Sequence, residues 1–445
     1  MTQRSRLNRR DFLTTTAAGL AIPLTAPAIL KSAAPNERIR LASVGVGGKG
    51  WSDLNGAAAF CDVVAFCDVD TDGTRRGGFG KAAEKWPKAR RYSDWRELFD
   101  KEAGKIDAVT VSTPDHMHAP VTMTALQNGI ATYTQKPLTR TIHEARALTE
   151  AAEKAGVSTQ MGNQNHSGAG YRTLAEWVQK GVLGKVKVAH TWSNRPIWPQ
   201  GIDRPQGSDP VPENLDWDAW LGVAPERPYV KGVYHPFKWR GWYDFGAGAL
   251  GDMGCHIIDP VVWSLELGPA LSVQYDGPTP NAETFPKEET IRYRFGGTRH
   301  TAEDTLEMTW YDGGRLPSTE GSHLPTGTKL PANGVMMIGE DRTLLCPHGG
   351  MPQVYPPAPT QLIHEPGLNH YEEWTKGIKT GSTPNSSFAY AGPLTETVLL
   401  GVVASRVGSK ELKWDSEKLQ FTNSEKANSY VKQEYREGWE VKGLS

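Results

Sequence analysis

The first third of the chain alternates continuous apolar runs with amphipathic stretches. Residues 39–46 and 63–67 are short apolar runs, the pattern of strands buried on both faces. Further strands are predicted at 106–112, 130–134 and 158–161. Helical spacing falls between them, at 51–59, 95–99, 120–128 and 143–155, and Gly129 and Gly156 stand where the last two helices should stop. Strands alternating with helices predict a doubly wound parallel sheet, with its ligand at the carboxyl ends of the strands. Near residue 165 the rhythm changes. A helix at 171–180 and a strand at 186–192 lead into an irregular run, 195–240, rich in proline and aromatic residues. A helix through Asp252 and His256 to about 267 follows, then strands near 271–275, 290–295 and 305–311. A hairpin at 335–339 and 343–346 and helices at 369–379 and 394–407 complete the pattern. Strands in succession predict an open, mostly antiparallel sheet. The expected fold is α/β: a parallel-sheet domain over 35–165, then an α/β domain over 166–445 whose last helices pack back on the first.

Residues 1–34 are set apart as a targeting segment. Arg9-Arg10-Asp11-Phe12-Leu13 precedes the apolar run 17–30, a twin-arginine pattern. The expected destination is the periplasm or another exported location, with no integral membrane span after processing. A twin-arginine route carries proteins already folded in the cytoplasm. The chain has the composition of a globular protein, with 38% hydrophobic and 22% charged residues. The net charge of -1 argues against nucleic acid or an anionic membrane as partner. Four scattered cysteines do not make a disulfide framework. The 15 tryptophans offer sugar-stacking surface or ordinary core.

Gly45-Val46-Gly47-Gly48-Lys49-Gly50 closes the first strand and opens a helix. This G-x-G-x-x-G spacing lets a backbone turn tightly and approach a pyrophosphate at the helix N-terminus. Asp68 ends the next strand, where a carboxylate accepts from an adenosine ribose and repels a 2′-phosphate, so NAD is favoured. Arg75 and Arg76 leave NADP open. The other strand ends carry Thr113, Pro114, His116 and His118, then Gln135-Lys136-Pro137, then Asn163, Gln164 and His166. The last three are candidates to touch substrate; His116 and His118 either flank the nicotinamide or cap the following helix. Asp252 and His256 stand one helical turn apart, a carboxylate beside an imidazole near enough to handle a hydroxyl proton. Trp239, Arg240 and Tyr243 are candidates just before them, Arg240 for cofactor or substrate and the two aromatics for substrate. No second spaced His/Cys cluster supports a metal site.

Together GVGGKG, FCDVD, STPDHMHA at 112–119, QKP at 135–137, Trp239-Arg240 and GDMGCHIID at 251–259 resemble the glucose–fructose oxidoreductase / inositol dehydrogenase (Gfo/Idh/MocA) family, its exported branch above all. The resemblance implies a Rossmann-type first domain, a second domain whose sheet covers the nicotinamide, and a homo-oligomer, dimer or tetramer. It implies Lys136, Asp252 and His256 as the catalytic set: His256 as general base, Asp252 orienting it or the substrate, Lys136 stabilising the alkoxide. One departure stands out. The family's Glu-Lys-Pro is here Gln135-Lys136-Pro137; if Gln135 faced Lys136, the lysine would lose a stabilising carboxylate. The expected activity is NAD(P)-dependent oxidation of a carbohydrate or polyol hydroxyl with a tightly bound cofactor, since free cofactor is not expected outside the cytoplasm. The alternatives are a redox-neutral NAD-dependent glycosidase and a non-catalytic sugar-binding protein.

Overall fold

The computed structural model describes residues 38–72, 77–408 and 410–445, so the expected targeting segment, Arg75 and Arg76 lie outside the described residues. The first sheet has six parallel strands: β1 (Ile39–Val44), β2 (Cys61–Cys67), β3 (Arg90–Tyr92), β4 (Ala108–Val111), β5 (Ala131–Thr134) and β6 (Thr159–Met161), in the order β3-β2-β1-β4-β5-β6. The order reverses between β1 and β4, and a doubly wound sheet gathers its ligand at that crevice. β4 and β5 are buried throughout, as a parallel strand covered on both faces must be. Helix α1 (Lys49–Ala58) follows β1 directly. Helix α2 (Ile142–Ala155) starts on a capping box of Thr141 and Glu144 and stops at Gly156 in the left-handed conformation.

The second sheet has nine strands. They are β7 (Val186–Trp192), β8 (Ala270–Asp276), β9 (Thr290–Gly296), β10 (Thr305–Tyr311), β11 (Gly334–Gly339), β12 (Thr343–Pro347), β13 (Gln353–Tyr355), β14 (Leu412–Asp415) and β15 (Gln420–Phe421). Their order is β13-β12-β11-β7-β10-β9-β8-β14-β15, antiparallel except where β7 runs beside β10. The strands expected at 186–192 and 305–311 keep those bounds.

Three differences from the expected elements have local causes. The helix through Asp252 and His256 does not reach 267. It ends as α3 (Gly248–Ile257), and a separate short helix, Asp259–Ser264, follows with Pro260 in its first turn, where the missing N–H costs nothing. Helix α4 (Phe388–Val407) begins before Pro393 rather than after it. It is long and apolar enough to cross a membrane, yet it is a core helix here, packed against α2, α3 and β8. β3, only three residues long, has no periodicity to read and is tied down by Arg90 and Tyr92, which both donate to Glu102.

The long aromatic run folds on itself. Leu215, Trp220, Tyr229, Tyr234, Trp239, Trp242 and Phe245 form a small core of their own, with Trp217 stacked on Trp220 at 4.7 Å. This lobe docks on the first sheet: Asn214 and His235 both bond Asp70, at 2.7 and 2.9 Å. All four cysteines are buried and unpaired. Burial pushes the thiols of Cys61, Cys255 and Cys346 up to about 12 and that of Cys67 well above its ordinary value.

Candidate active site

The turn after β1 is shaped for a dinucleotide. Gly45 lies at φ +80° and a Cβ there would stand 2.6 Å from the Ser112 carbonyl oxygen. A Cβ on Gly50 would stand 2.1 Å from the Gly45 oxygen, so this glycine lets α1 approach the turn. Gly48 is the opposite case: among the described residues nothing lies within 4 Å of an added Cβ, and as N-cap it offers no side-chain cap to α1. The Gly50 N–H donates to the Gly47 carbonyl at 2.9 Å, and the glycine turn lies at the positive end of the helix dipole. Asp68 is fixed by its backbone neighbours: the N–H of Val46 donates to it at 2.9 Å and that of Asp70 at 3.1 Å. Burial nevertheless pushes its carboxyl above the ordinary range, and hydroxyl donors from a ribose would relieve that cost. At the end of β4, before Pro114, the Thr113 hydroxyl is buried without a partner. The glycine turn, the fixed carboxylate and the orphaned hydroxyl fit a nicotinamide dinucleotide. Gly50→Ala is expected to cost about 1–3 kcal/mol of stability through overpacking and to weaken NAD binding, checked by urea unfolding and titration calorimetry.

The polar cluster lies where β5 and α3 meet. Lys136 Nζ donates to the Asp252 carbonyl at 2.6 Å and to its Oδ1 at 2.9 Å. Arg240 Nε donates to the same Oδ1 at 3.2 Å. Burial alone would raise the Asp252 carboxyl, but the charges of Lys136 and Arg240 hold it well below the usual carboxylate range. Arg240 lies over Trp239 with its guanidinium carbon 4.1 Å from the ring centre. His256, one turn along α3, is half-buried, and its Nδ1 has no partner. Burial first, then the Lys136 charge, push its pKa well below the ordinary value, so the ring is neutral at pH 7. Asp252 makes no hydrogen bond to His256; its carboxylate is taken up by Lys136 and Arg240.

Gln135 does not replace the carboxylate that the family motif would place beside Lys136. Its amide packs against Gly162 with Nε2 unpartnered, and the carboxylate beside Lys136 is Asp252. The Lys136–Pro137 peptide is cis. His118 sits behind this loop, with Nδ1 2.7 Å from the Pro137 carbonyl and Nε2 2.9 Å from that of Thr113. It bridges the two strand ends from within the core, where it is 1% exposed. His116 is fully buried between Trp220 and Phe245.

The residues expected to touch substrate are mostly placed elsewhere. Asn163 is buried and bonds Asp259 and Ser386; His166 is buried, bonds Asp259 at 3.0 Å and stacks on Trp263. Both secure the break between α3 and the next helix. Trp239 and Tyr243, 6% and 4% exposed, are likewise core residues, and the sugar-facing wall expected of the aromatic run is reduced to partly exposed side chains such as Phe237. Gln164 is half-buried and donates to the Tyr133 hydroxyl at 2.6 Å.

Two residues near the cluster escaped the sequence reading. His348, just past β12, brings its ring centre 5.4 Å from that of His256, and the Tyr171 hydroxyl stands 3.0 Å from its Nδ1. Burial, then the Lys136 charge, push it down to about 4. Asp115 is buried, accepts from the Ala247 N–H at 3.1 Å and is pushed up to about 7 by burial. Among the described residues no group of His, Cys, Asp and Glu is disposed to hold a metal ion.

Residues 39–163 match the oxidoreductase family's NAD-binding Rossmann fold, and residues 171–300 match its C-terminal alpha/beta domain, both of the Gfo/Idh/MocA class. The chain belongs to the Gfo/Idh/MocA oxidoreductase family. Its cofactor is NAD, bound at the Rossmann fold described above. The fold is also that of the WlbA dehydrogenase of Bordetella pertussis, solved with NADH and UDP-GlcNAcA, at a TM-score of 0.59 and 17% identity over 85% of this chain and 99% of that one. A D-apiose dehydrogenase of Paraburkholderia graminis is 34% identical over 107 residues, 24% of this chain and 26% of that protein. An alpha-N-acetylgalactosaminidase of Shewanella oneidensis is 25% identical over 346 residues, 65% of this chain and 72% of that protein. Family membership thus spans sugar dehydrogenases and a glycosidase, while the chain spans about a quarter of the length of the first.

Proposed function

We propose that this family member oxidises a carbohydrate or polyol hydroxyl around an NAD that stays bound, the hydride then passing to a second sugar, which is reduced and restores the cofactor. The observation that carries the reading is the Lys136–Asp252–Arg240 ion cluster, with neutral His256 beside it, at the carboxyl edge of the sheet that holds the dinucleotide. When bound, the nicotinamide supplies hydride acceptance and return. The chain's own residues do the rest. Lys136 donates to the substrate hydroxyl oxygen and stabilises negative charge as it develops there. His256, uncharged and with a free ring nitrogen, takes the hydroxyl proton. Asp252 positions Lys136 and Arg240, and the long-range field of Arg240 adds to that of Lys136.

Retention of the cofactor follows from the expected export, because a released NAD has no replacement outside the cytoplasm. The lobe tied to Asp70 by Asn214 and His235 is fixed two residues from Asp68, the expected ribose ligand, which supports a cofactor held on that side. The mature protein as purified is expected to carry about one nicotinamide per chain, seen by absorbance and mass spectrometry, and to turn over a pair of sugars from a mono- and disaccharide panel, one oxidised and the other reduced, without added cofactor. An apo protein active only with millimolar free NAD would sink the proposal.

A second reading has support of its own. The alignment with the Shewanella glycosidase covers most of this chain, and His348 sets a second neutral imidazole beside His256. Transient oxidation of a sugar carbon acidifies its neighbouring C–H; a base removes that proton, the glycosidic oxygen leaves with a proton, water adds across the resulting double bond, and the hydride returns to the carbonyl carbon. Release of an aglycone without net NADH favours this reading over net oxidation.

A further inference from the structure

Outside the active site, two arginines face one cavity with no carboxylate between them. The cavity, about 20 Å³, lies between the start of α2, the segment 243–246 and α4, and Arg140, Tyr243, Arg406 and Tyr430 line it. Arg406 is held between aromatic rings, its guanidinium carbon 4.4 Å from the centre of Tyr243 and 3.9 Å from that of Tyr430. It has no ion pair or hydrogen bond among the described residues. Arg140 donates one N–H to the Tyr243 carbonyl at 2.6 Å, while its Nε is buried and unpartnered. The Tyr243 hydroxyl is also buried and unpartnered. Both residues are at least nine-tenths buried.

The neighbouring carboxylates are committed elsewhere. Asp244 pairs with Arg227. Glu144 accepts from the backbone N–H groups of Arg140 and Thr141 and from the Tyr435 hydroxyl. Glu289 accepts from Ser405. Two positive charges therefore meet in a low-dielectric space with unsatisfied donors, an arrangement that is costly unless a negative charge joins them. Burial and the Arg140 charge together already press Arg406 toward losing its proton. The volume admits a small particle of water or halide size. Water would satisfy the donors but leave the charges uncompensated.

We propose that this cavity binds one small monovalent anion of halide size, held by Arg140, Arg406 and the Tyr243 hydroxyl. Arg140 follows Lys136 by four residues and Tyr243 follows Arg240 by three. An anion between them ties together the two segments that supply both partners of Asp252. Bromide is the probe. Crystals of the full chain soaked in sodium bromide are expected to show an anomalous peak between Arg140 and Tyr243. In solution, bromide or chloride should raise the melting temperature by about 2–4 °C over gluconate at equal ionic strength. Tyr243→Phe, which keeps the ring and removes one donor, should reduce that increase, and Arg406→Gln should abolish it. If Arg406→Gln does not fold, Tyr243→Phe and the anomalous peak still decide. A cavity that holds water or nothing at saturating bromide overturns the proposal, whatever the melting curves show.

Discussion

Lys136→Met should lower kcat by about 10³–10⁴-fold, because it removes a charge-stabilising donor from the oxygen on which negative charge develops. The substitution keeps the aliphatic stem and so preserves most of the packing. It leaves Asp252 with Arg240 alone, 3.2 Å away. The informative measurement is single-turnover reduction of the bound nicotinamide on mixing with an active sugar from the panel. A loss in that first step, with sugar affinity little changed, identifies a group that acts mainly in the transition state. Activity within tenfold of wild type would remove Lys136 from the chemistry. Asp252→Asn should act on both sides of the cluster. It leaves two cations with a neutral neighbour at a site where the paired side chains of Lys136 and Asp252 are 12% and 14% exposed. Breaking such a buried pair costs about 3–5 kcal/mol, read from the shift in urea midpoint.

The second large effect is an early acid transition. His116 and His370 are pushed down to about 3 and His118 to about 4, in each case chiefly by burial. Their unfolded values lie near 6.5. Between the folded and unfolded values the unfolded chain binds more protons, so stability is full above about pH 6.5 and falls as pH drops. At pH 5 each ring forfeits about 2 kcal/mol, and three of them together approach the whole stability of an ordinary domain. His370 Nε2 lies 2.9 Å from the Met161 carbonyl and its Nδ1 2.7 Å from the Ser167 hydroxyl, which itself donates to Glu373. His118 meets a carbonyl at each nitrogen, which favours the charged ring and opposes the burial effect. Asp252 adds a separate loss at lower pH: its depressed carboxyl stabilises above about pH 4 and ceases to as pH falls further. Melting temperatures at pH 7.5, 6 and 5 check this, and a flat profile over that range would mean that the rings are charged in the folded protein.

Local signals carried much of the architecture. The glycine turn, Asp68 and the strand–helix rhythm depend on residues close in sequence, and the structure brings them together as a dinucleotide cradle. The three residues Lys136, Arg240 and Asp252 were each legible from short motifs, but their sharing of one carboxylate was not, since it joins segments 116 residues apart in the Lys136–Asp252 case. Spacing suggested that Asp252 pairs with His256; the nearby cations compete successfully for the carboxylate. His348 was missed because it follows a hairpin and precedes a proline-rich stretch with no periodicity, and only the return of β12 toward Tyr171 places it at the site. The polar signature at 163–166 pointed to substrate, yet the break at Pro260 creates a buried carboxylate, Asp259, that claims Asn163 and His166. Aromatic density misled in the same way: a loop with enough large rings makes a core rather than a binding wall.

The buried thiols bear on where this protein is able to mature. With four cysteines neither paired nor at the surface, no step of folding waits for an oxidant, and none of the sulfurs is presented as a thiolate to one afterwards. The same covalent chain is therefore stable in a glutathione-rich cytosol and in an oxidising space, and purification with or without reductant should yield one species.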